Sequence, residues 1–324
     1  NPMVEIARGL GRTVDEYPHV WADEWNTEKL GAADYAEFRG TVNDLFEAAG
    51  ALARSGRPDT ALGDLLPAGT PWRAATDAIC GWITGGRLDQ VSAIDMGRMD
   101  DLQVNWRLPG GYGAVIAGLA EGLPLNLSTP VTRIDWQGST IAVETAGGRL
   151  KARRVIVTLP TDLIASGAVD FAPALPADKV QAANDLPLGA DLKVFLAVEG
   201  RPFGPPRDLQ LPTRYDRTDC AFMHLHPFGR PLASAYLGGD IARQLELAGP
   251  AAMIDFVEEE LVFNFGSSLR GCLHLLAASS WIGDPLSGGA YAYARPGAMA
   301  ARNRLAAPLD ERMFFAGEAT SPDE

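Results

Sequence analysis

A glycine-rich turn, several short strands and an apolar closing strand, all within residues 106–160, constrain this chain more than any other stretch. It begins Trp106-Arg107-Leu108-Pro109-Gly110-Gly111-Tyr112-Gly113 and continues as a helix-like run from Ala114 to Leu123. The glycines let backbone approach a helix start closely. Strands are expected at Leu125–Leu127, through Thr129-Pro130-Val131-Thr132-Arg133-Ile134, at Thr140–Thr145 and at Arg149–Ala152, with a turn at Gly147-Gly148. The last segment, Val155-Ile156-Val157-Thr158-Leu159-Pro160, is too apolar for a strand with a wet face and reads as fully buried. Together these suggest half of an α/β nucleotide-binding layout, with its first half expected upstream of Asn1.

The 324 residues are enough for two domains with sizeable cores. No apolar run is long enough to cross a bilayer. The net charge of −13, without any basic stretch, argues against a nucleic-acid partner. Cys80, Cys220 and Cys272 are isolated and odd in number, fitting neither a metal motif nor a disulfide framework. A reducing, cytoplasmic setting is therefore expected. Both ends look cut, since the chain opens at Asn1-Pro2 and stops just after a strand-like Met313-Phe314-Phe315-Ala316-Gly317.

The first hundred residues read as helical. Met3 to Leu10 form one apolar face stopped by Gly11, Ala33 to Leu52 repeat apolar residues at helical spacing, and shorter helices are expected at 59–66 and 72–83. Further on, a helix is expected at 177–183, then a strand Leu192-Lys193-Val194-Phe195-Leu196-Ala197-Val198 whose one charge is Lys193. Residues 201–216 read as a loop, 221–226, 234–237 and 272–278 as strands, and 250–263 as an amphipathic helix with Glu258, Glu259 and Glu260 outward. His224 and His226 at alternate strand positions would share a face, but two ligands make a weak metal site, and His19 and His274 join no constellation.

Four motifs, in order, carry a resemblance. They are Leu108-Pro-Gly-Gly-Tyr-Gly with Thr129-Pro-Val-Thr-Arg-Ile134; Val155-Ile-Val-Thr-Leu-Pro160 with Leu188-Gly-Ala-Asp-Leu-Lys193; Trp281 through Gly288-Gly289-Ala290-Tyr291; and Phe314-Phe-Ala-Gly-Glu-Ala-Thr320. On these the chain resembles the flavin-containing amine oxidases, which include monoamine and polyamine oxidases and lysine-specific histone demethylases. The resemblance implies an α/β fold of mixed α+β character. An incomplete, Rossmann-like FAD-binding domain (101–167 and 301–324) would interleave with a substrate domain made of a helical part (1–100) and a mixed sheet (168–300). It also implies FAD as cofactor, with a small-molecule amine and O2 as partners. The family's dinucleotide fingerprint would lie upstream, so the 324 residues alone are expected to bind FAD poorly and to be inactive.

The resemblance assigns two catalytic positions. Lys193 would hold a water against the flavin, and Tyr291 would form one wall of an aromatic cage around the amine; a solvent-reaching strand lysine and an ordinary half-buried tyrosine are the competing readings. Cofactor contacts are implied at Gly110, Gly111, Val131, Pro160, Trp281, Gly289, Ala290, Gly317 and Glu318. Against these, Trp281 competes as a core residue, Gly110 and Gly111 as plain turn glycines, and Ser321-Pro322-Asp323-Glu324 as a helix cap. Within the same superfamily an L-amino-acid oxidase or a carotenoid-desaturase-like enzyme stays open. The former needs an arginine for a carboxylate, from Arg107, Arg214 or Arg295. A flavin-free scaffold is the reading from a different class.

Overall fold

The computed structural model describes residues 2–16, 23–99, 106–204 and 208–321. His19, the boundary near Asp101 and the cap residues Pro322-Asp323-Glu324 lie outside them.

Helices dominate the first part: α1 (Pro2–Gly9), α2 (Asp23–Leu30), α3 (Ala32–Ser55), α4 (Arg73–Thr84), α5 (Ala93–Arg98) and α6 (Tyr112–Leu119). In α3 the buried Phe38, Leu45, Ala49 and Leu52 recur at helical spacing, and Gly56 closes it in the left-handed conformation. The helix runs on to Ser55, beyond the Leu52 at which the apolar spacing was read to end. Residues Leu62–Leu65 form a 3-10 turn rather than an α-helix.

Then follow β1 (Val131–Asp135), β2 (Ile141–Thr145), β3 (Gly148–Ala152), β4 (Val155–Val157), α7 (Thr161–Ala165), β5 (Asp170–Ala172) and α8 (Ala177–Asp185). Strands order as β3-β2-β1-β5 in one mixed sheet, with β1 and β5 parallel. Leu125–Leu127 is no strand: it joins no sheet among the described residues, and Leu125 and Leu127 are 56% and 82% exposed. Nor is β4 dry on both faces, for Ile156 is 66% exposed. Among the described residues β4 pairs with one strand, which leaves a side uncovered.

The remainder supplies β6 (Asp191–Val198), β7 (Leu209–Pro212), β8 (Phe222–Leu225), β9 (Leu232–Gly238), α9 (Asp240–Ala248), α10 (Pro250–Phe265), β10 (Leu273–Ala278), α11 (Ala301–Ala306) and β11 (Met313–Phe315). An antiparallel sheet of order β10-β6-β9-β8-β7 is the largest. One face of it buries Leu192, Val194, Leu196, Ala235 and Leu237 against α9 and α10, at about 1.5–3 kcal/mol per large apolar side chain. β7 lies inside the segment read as a loop, because Gln210 and Leu211 are buried by pairing with β8 despite the surrounding prolines. Glu260 does not face water. It is 1% exposed and accepts hydrogen bonds from Thr213 and Arg217, partners far away in sequence. His226 falls past the end of β8 in a left-handed conformation, so the two histidines share no strand face.

β11 and β4 form a parallel pair with Met313, Phe314 and Phe315 opposite Val155, Ile156 and Val157. Their buried side chains join Ile134, Ile141, Phe171 and Leu305 in a second core. Among the described residues no helix is long and apolar enough to cross a membrane.

Candidate active site

Beyond the carboxyl ends of β4 and β11 lies a cavity of about 170 Å³, walled by Thr158, Pro160, Leu188, Ala290, Gly317 and Glu318 among others. Ligands in α/β folds bind at this end of parallel strands. Pro160 opens α7, and Thr161 behind it donates a buried hydrogen bond to the Leu186 carbonyl at 2.7 Å. Gly317 has φ 128°, a conformation that strains any other residue, as the chain turns from β11 into a short 3-10 segment.

Glu318 accepts a hydrogen bond from the Ala292 N–H at 3.0 Å and faces Arg302 at 3.5 Å. Arg302 is 3% exposed and makes a bidentate pair with Asp95 at 2.8 and 2.9 Å. Partial burial pushes the Glu318 carboxyl above its usual range, against the opposing pull of the Ala292 N–H and Arg302. This carboxylate therefore ties the turn to α5 and α11.

The cavity wall continues into the large sheet. Residues 188–190 run beside 290–292: the Gly189 N–H donates to the Tyr291 carbonyl and the Ala290 N–H to the Gly189 carbonyl, each at 2.8 Å. A side chain at Gly189 would collide with the backbone of Thr84 and Gly85, and one at Gly289 with Leu188. Past this crossing β6 begins, and its alternation puts Asp191 and Lys193 on the face away from the main core. Lys193 is exposed, stands opposite Tyr236 in register, and holds its ammonium 5.0 Å from that ring's centroid. Phe222 is next across the sheet, packed on Trp82 of α4 at 5.4 Å.

Tyr291 is joined to Lys193 through this cluster. Its hydroxyl lies 2.8 Å from Asp191 Oδ2, from the Trp82 carbonyl oxygen and from the Tyr236 hydroxyl. Burial, reinforced by the Asp191 carboxylate, pushes both phenols well above the ordinary tyrosine range, so both stay protonated. Neither buried cysteine is a nucleophile, because burial raises the Cys80 thiol to about 12 and Cys220 higher still. Among the described residues no group of three His, Cys, Asp or Glu side chains is placed for a metal ion.

Of the residues singled out by sequence, Pro160, Ala290, Gly317 and Glu318 converge on the cavity, Gly289 backs its wall, and Lys193 and Tyr291 stand beyond it. Gly110 and Gly111 precede α6, Val131 opens β1, and Trp281 lies 46% exposed in a turn held by Glu246; none of these four lines the cavity. Asp191, Tyr236, Trp82 and Arg302 escaped the sequence reading. An acid two positions before a strand lysine was a usable signal for Asp191; the others are brought in from distant segments. The arginines considered for a carboxylate are engaged elsewhere: Arg107 by Asp15 and Asp208, Arg214 by Asp216, and Arg295 by the Asn184 carbonyl.

The cavity at the carboxyl ends of β4 and β11 and the aromatic sheet face that bears Lys193 are joined by the single segment 188–193. The chain belongs to the flavin containing amine oxidoreductase family, whose model matches residues 28–324. It is 31% identical over 227 residues to Polyamine oxidase 2 of Arabidopsis thaliana, covering 66% of this chain and 45% of that protein. To Lysine-specific histone demethylase 2 of Homo sapiens it is 27% identical over 237 residues, covering 66% and 27%. The chain thus spans less than half the length of these curated relatives. A double mutant of putrescine oxidase shares its fold with TM-score 0.78 at 17% identity, over 99% of this chain and 80% of that one. Cyclohexylamine oxidase from Brevibacterium oxydans does so with TM-score 0.75 at 17% identity, over the same shares of the two chains.

FAD is the cofactor that family membership implies. The cavity fits part of it, since it sits at the ends of parallel strands and bears a glycine turn free of side chain at Gly317.

Proposed function

We propose that the chain belongs to an FAD-dependent oxidase of a primary or secondary amine, a polyamine or monoamine. It would yield an imine, then an aldehyde, with O2 reduced to H2O2. The carrying observation is that one extended segment, 188–193, walls the cofactor cavity at Leu188 and presents Lys193 beside the aromatic cluster. When bound, FAD supplies acceptance of a hydride equivalent from the amine-bearing carbon and its passage to oxygen. Pro160, Gly289, Ala290, Gly317 and Glu318 hold the cofactor at the cavity, and Gly110, Gly111, Val131 and Trp281 serve parts of it outside. Tyr291 offers an aromatic wall to the amine nitrogen. Lys193 holds a water and a positive charge on the open sheet face. Residues 101–167 and 301–324 make the cofactor side, and 1–100 with 168–300 the substrate side.

Oxidation needs the amine neutral. Turnover by the intact parent protein should rise with pH through the substrate ammonium's own pKa, and a flat pH–rate profile contradicts the proposal.

A further inference from the structure

The sheet face that carries Lys193 also carries a buried acid to which the proposed chemistry gives no role. Asp191 is 5% exposed and lies two residues before Lys193 on the same side of β6. Its carboxylate meets the Tyr291 hydroxyl at 2.8 Å, that hydroxyl meets Tyr236 at 2.8 Å, and the Tyr236 ring faces the Lys193 ammonium at 5.0 Å. Carboxylate, two phenols and ammonium form one chain of contacts, which runs from Asp191 through Tyr291 and Tyr236 to Lys193.

The backbone is shaped around this chain. Opposite Asp191 stands Gly238, and α4 approaches so closely that a Cβ there would fall 2.0 Å from the Gly81 carbonyl oxygen. That contact fixes the end of α4, and with it the Trp82 carbonyl, 2.8 Å from the Tyr291 hydroxyl. Tyr291 has a single hydroxyl proton for these acceptors. An ionised Asp191 draws it most strongly, because a charged acceptor makes the stronger hydrogen bond. The ring is then locked, with a buried negative charge beside its phenol end.

We infer that Asp191 is a positioning and specificity residue of the amine pocket: it fixes Tyr291 and Tyr236 through their hydroxyls and, in the binding step that precedes deprotonation and oxidation, favours a cationic nitrogen in front of them. This rests on the amine-oxidase reading. Lys193, Tyr236 and Tyr291 are the titratable groups that act on Asp191. Burial raises its carboxyl above the usual range while the two phenols and Lys193 oppose the rise, so the charge disappears in acid earlier than for an exposed aspartate.

The test uses the intact parent protein with FAD bound, as wild type, Asp191→Asn and Tyr236→Phe. The probe is tetramethylammonium, which keeps its charge at every pH and has no lone pair to oxidise. Its Kd is read from perturbation of the flavin absorbance, and the tyrosine 13Cζ resonances are followed in the same samples. In wild type, cation affinity should fall as pH drops through the Asp191 titration. Asp191→Asn should bind the cation about tenfold more weakly, the scale of one charge-assisted hydrogen bond, with that pH dependence gone. The Tyr291 and Tyr236 resonances should move together, and kcat/KM for an amine should fall more than kcat. Unmoved resonances with unchanged affinity at every pH overturn the inference. Should Asp191→Asn fail to fold, Tyr236→Phe decides, since it must shift the Tyr291 resonance and weaken the cation. If no amine reduces the flavin, the amine-oxidase reading fails, while the resonances and the cation affinity still decide the role of Asp191.

Discussion

Gly189→Ala is the sharpest perturbation of the joint between cofactor cavity and substrate face. A Cβ at this position would stand 2.4 Å from the Thr84 carbonyl oxygen, 2.7 Å from Gly85 Cα and 2.9 Å from the Gly85 carbonyl carbon. All three atoms are backbone, and Gly85 is itself the left-handed cap of α4, so no rotamer change relieves the clash. The two backbones must part by roughly 1 Å, an overpacking strain of about 2–3 kcal/mol. For 324 residues, at roughly 2.1 cal/mol/K of unfolding entropy per residue, that corresponds to a melting temperature lower by about 3–4 °C. Since Leu188 precedes the displaced residue and β6 begins two positions after it, the cavity wall shifts relative to Lys193, and a misplacement of about 1 Å costs about a hundredfold in turnover. Differential scanning calorimetry and steady-state amine turnover on the FAD-loaded parent protein read both effects. Gly138→Ala, whose new Cβ comes no closer than 3.6 Å to a neighbouring atom, the Thr140 carbonyl oxygen, is the control and leaves both unchanged. A Gly189→Ala protein as stable and active as wild type refutes the claim that this crossing sets the site.

Arg302→Met leaves Asp95 buried without its bidentate partner and frees the Glu318 turn, at a cost of about 3 kcal/mol by urea denaturation; an unchanged midpoint contradicts it. The Asp191 carboxyl is raised in the fold above its unfolded value, so it favours folding below that unfolded value and the contribution is lost as pH rises through the folded one. Asp191→Asn should therefore gain stability relative to wild type as pH rises across this window in mild acid, and parallel stability–pH curves would show otherwise. Lys193→Met should slow the reaction of reduced enzyme with oxygen by about a hundredfold in stopped-flow measurements, the scale of losing one preorganised charge; an unaltered rate assigns Lys193 to solvent.

Locally coded features were legible in sequence. The β-branched and aromatic run at 192–198 is β6, the turn after Met313-Phe314-Phe315 lines the cavity, and the regular apolar spacing of 33–52 is α3. What escaped depends on partners far along the chain. Glu260 sits in a run of three glutamates that reads as solvated until Thr213 and Arg217 close over it. β7 looks like a proline loop because its burial comes from β8. Ile156 is apolar enough for a buried strand, yet only one side of β4 is paired among the described residues. The site divides in the same way. Glycines demanded by backbone geometry, such as Gly289 and Gly317, are visible one at a time. Asp191 gains meaning only once Tyr236, Tyr291 and Trp82 arrive from three other segments.

On the proposed function, this cavity and sheet face serve a flavin that oxidises amines. The most direct measurement is the anaerobic visible spectrum of the intact parent protein before and after adding polyamines, monoamines and amino acids. The account predicts bleaching of the oxidised flavin band by a polyamine or monoamine, with colour returning on admission of oxygen. A bound flavin bleached by none of them, or by amino acids alone, contradicts it.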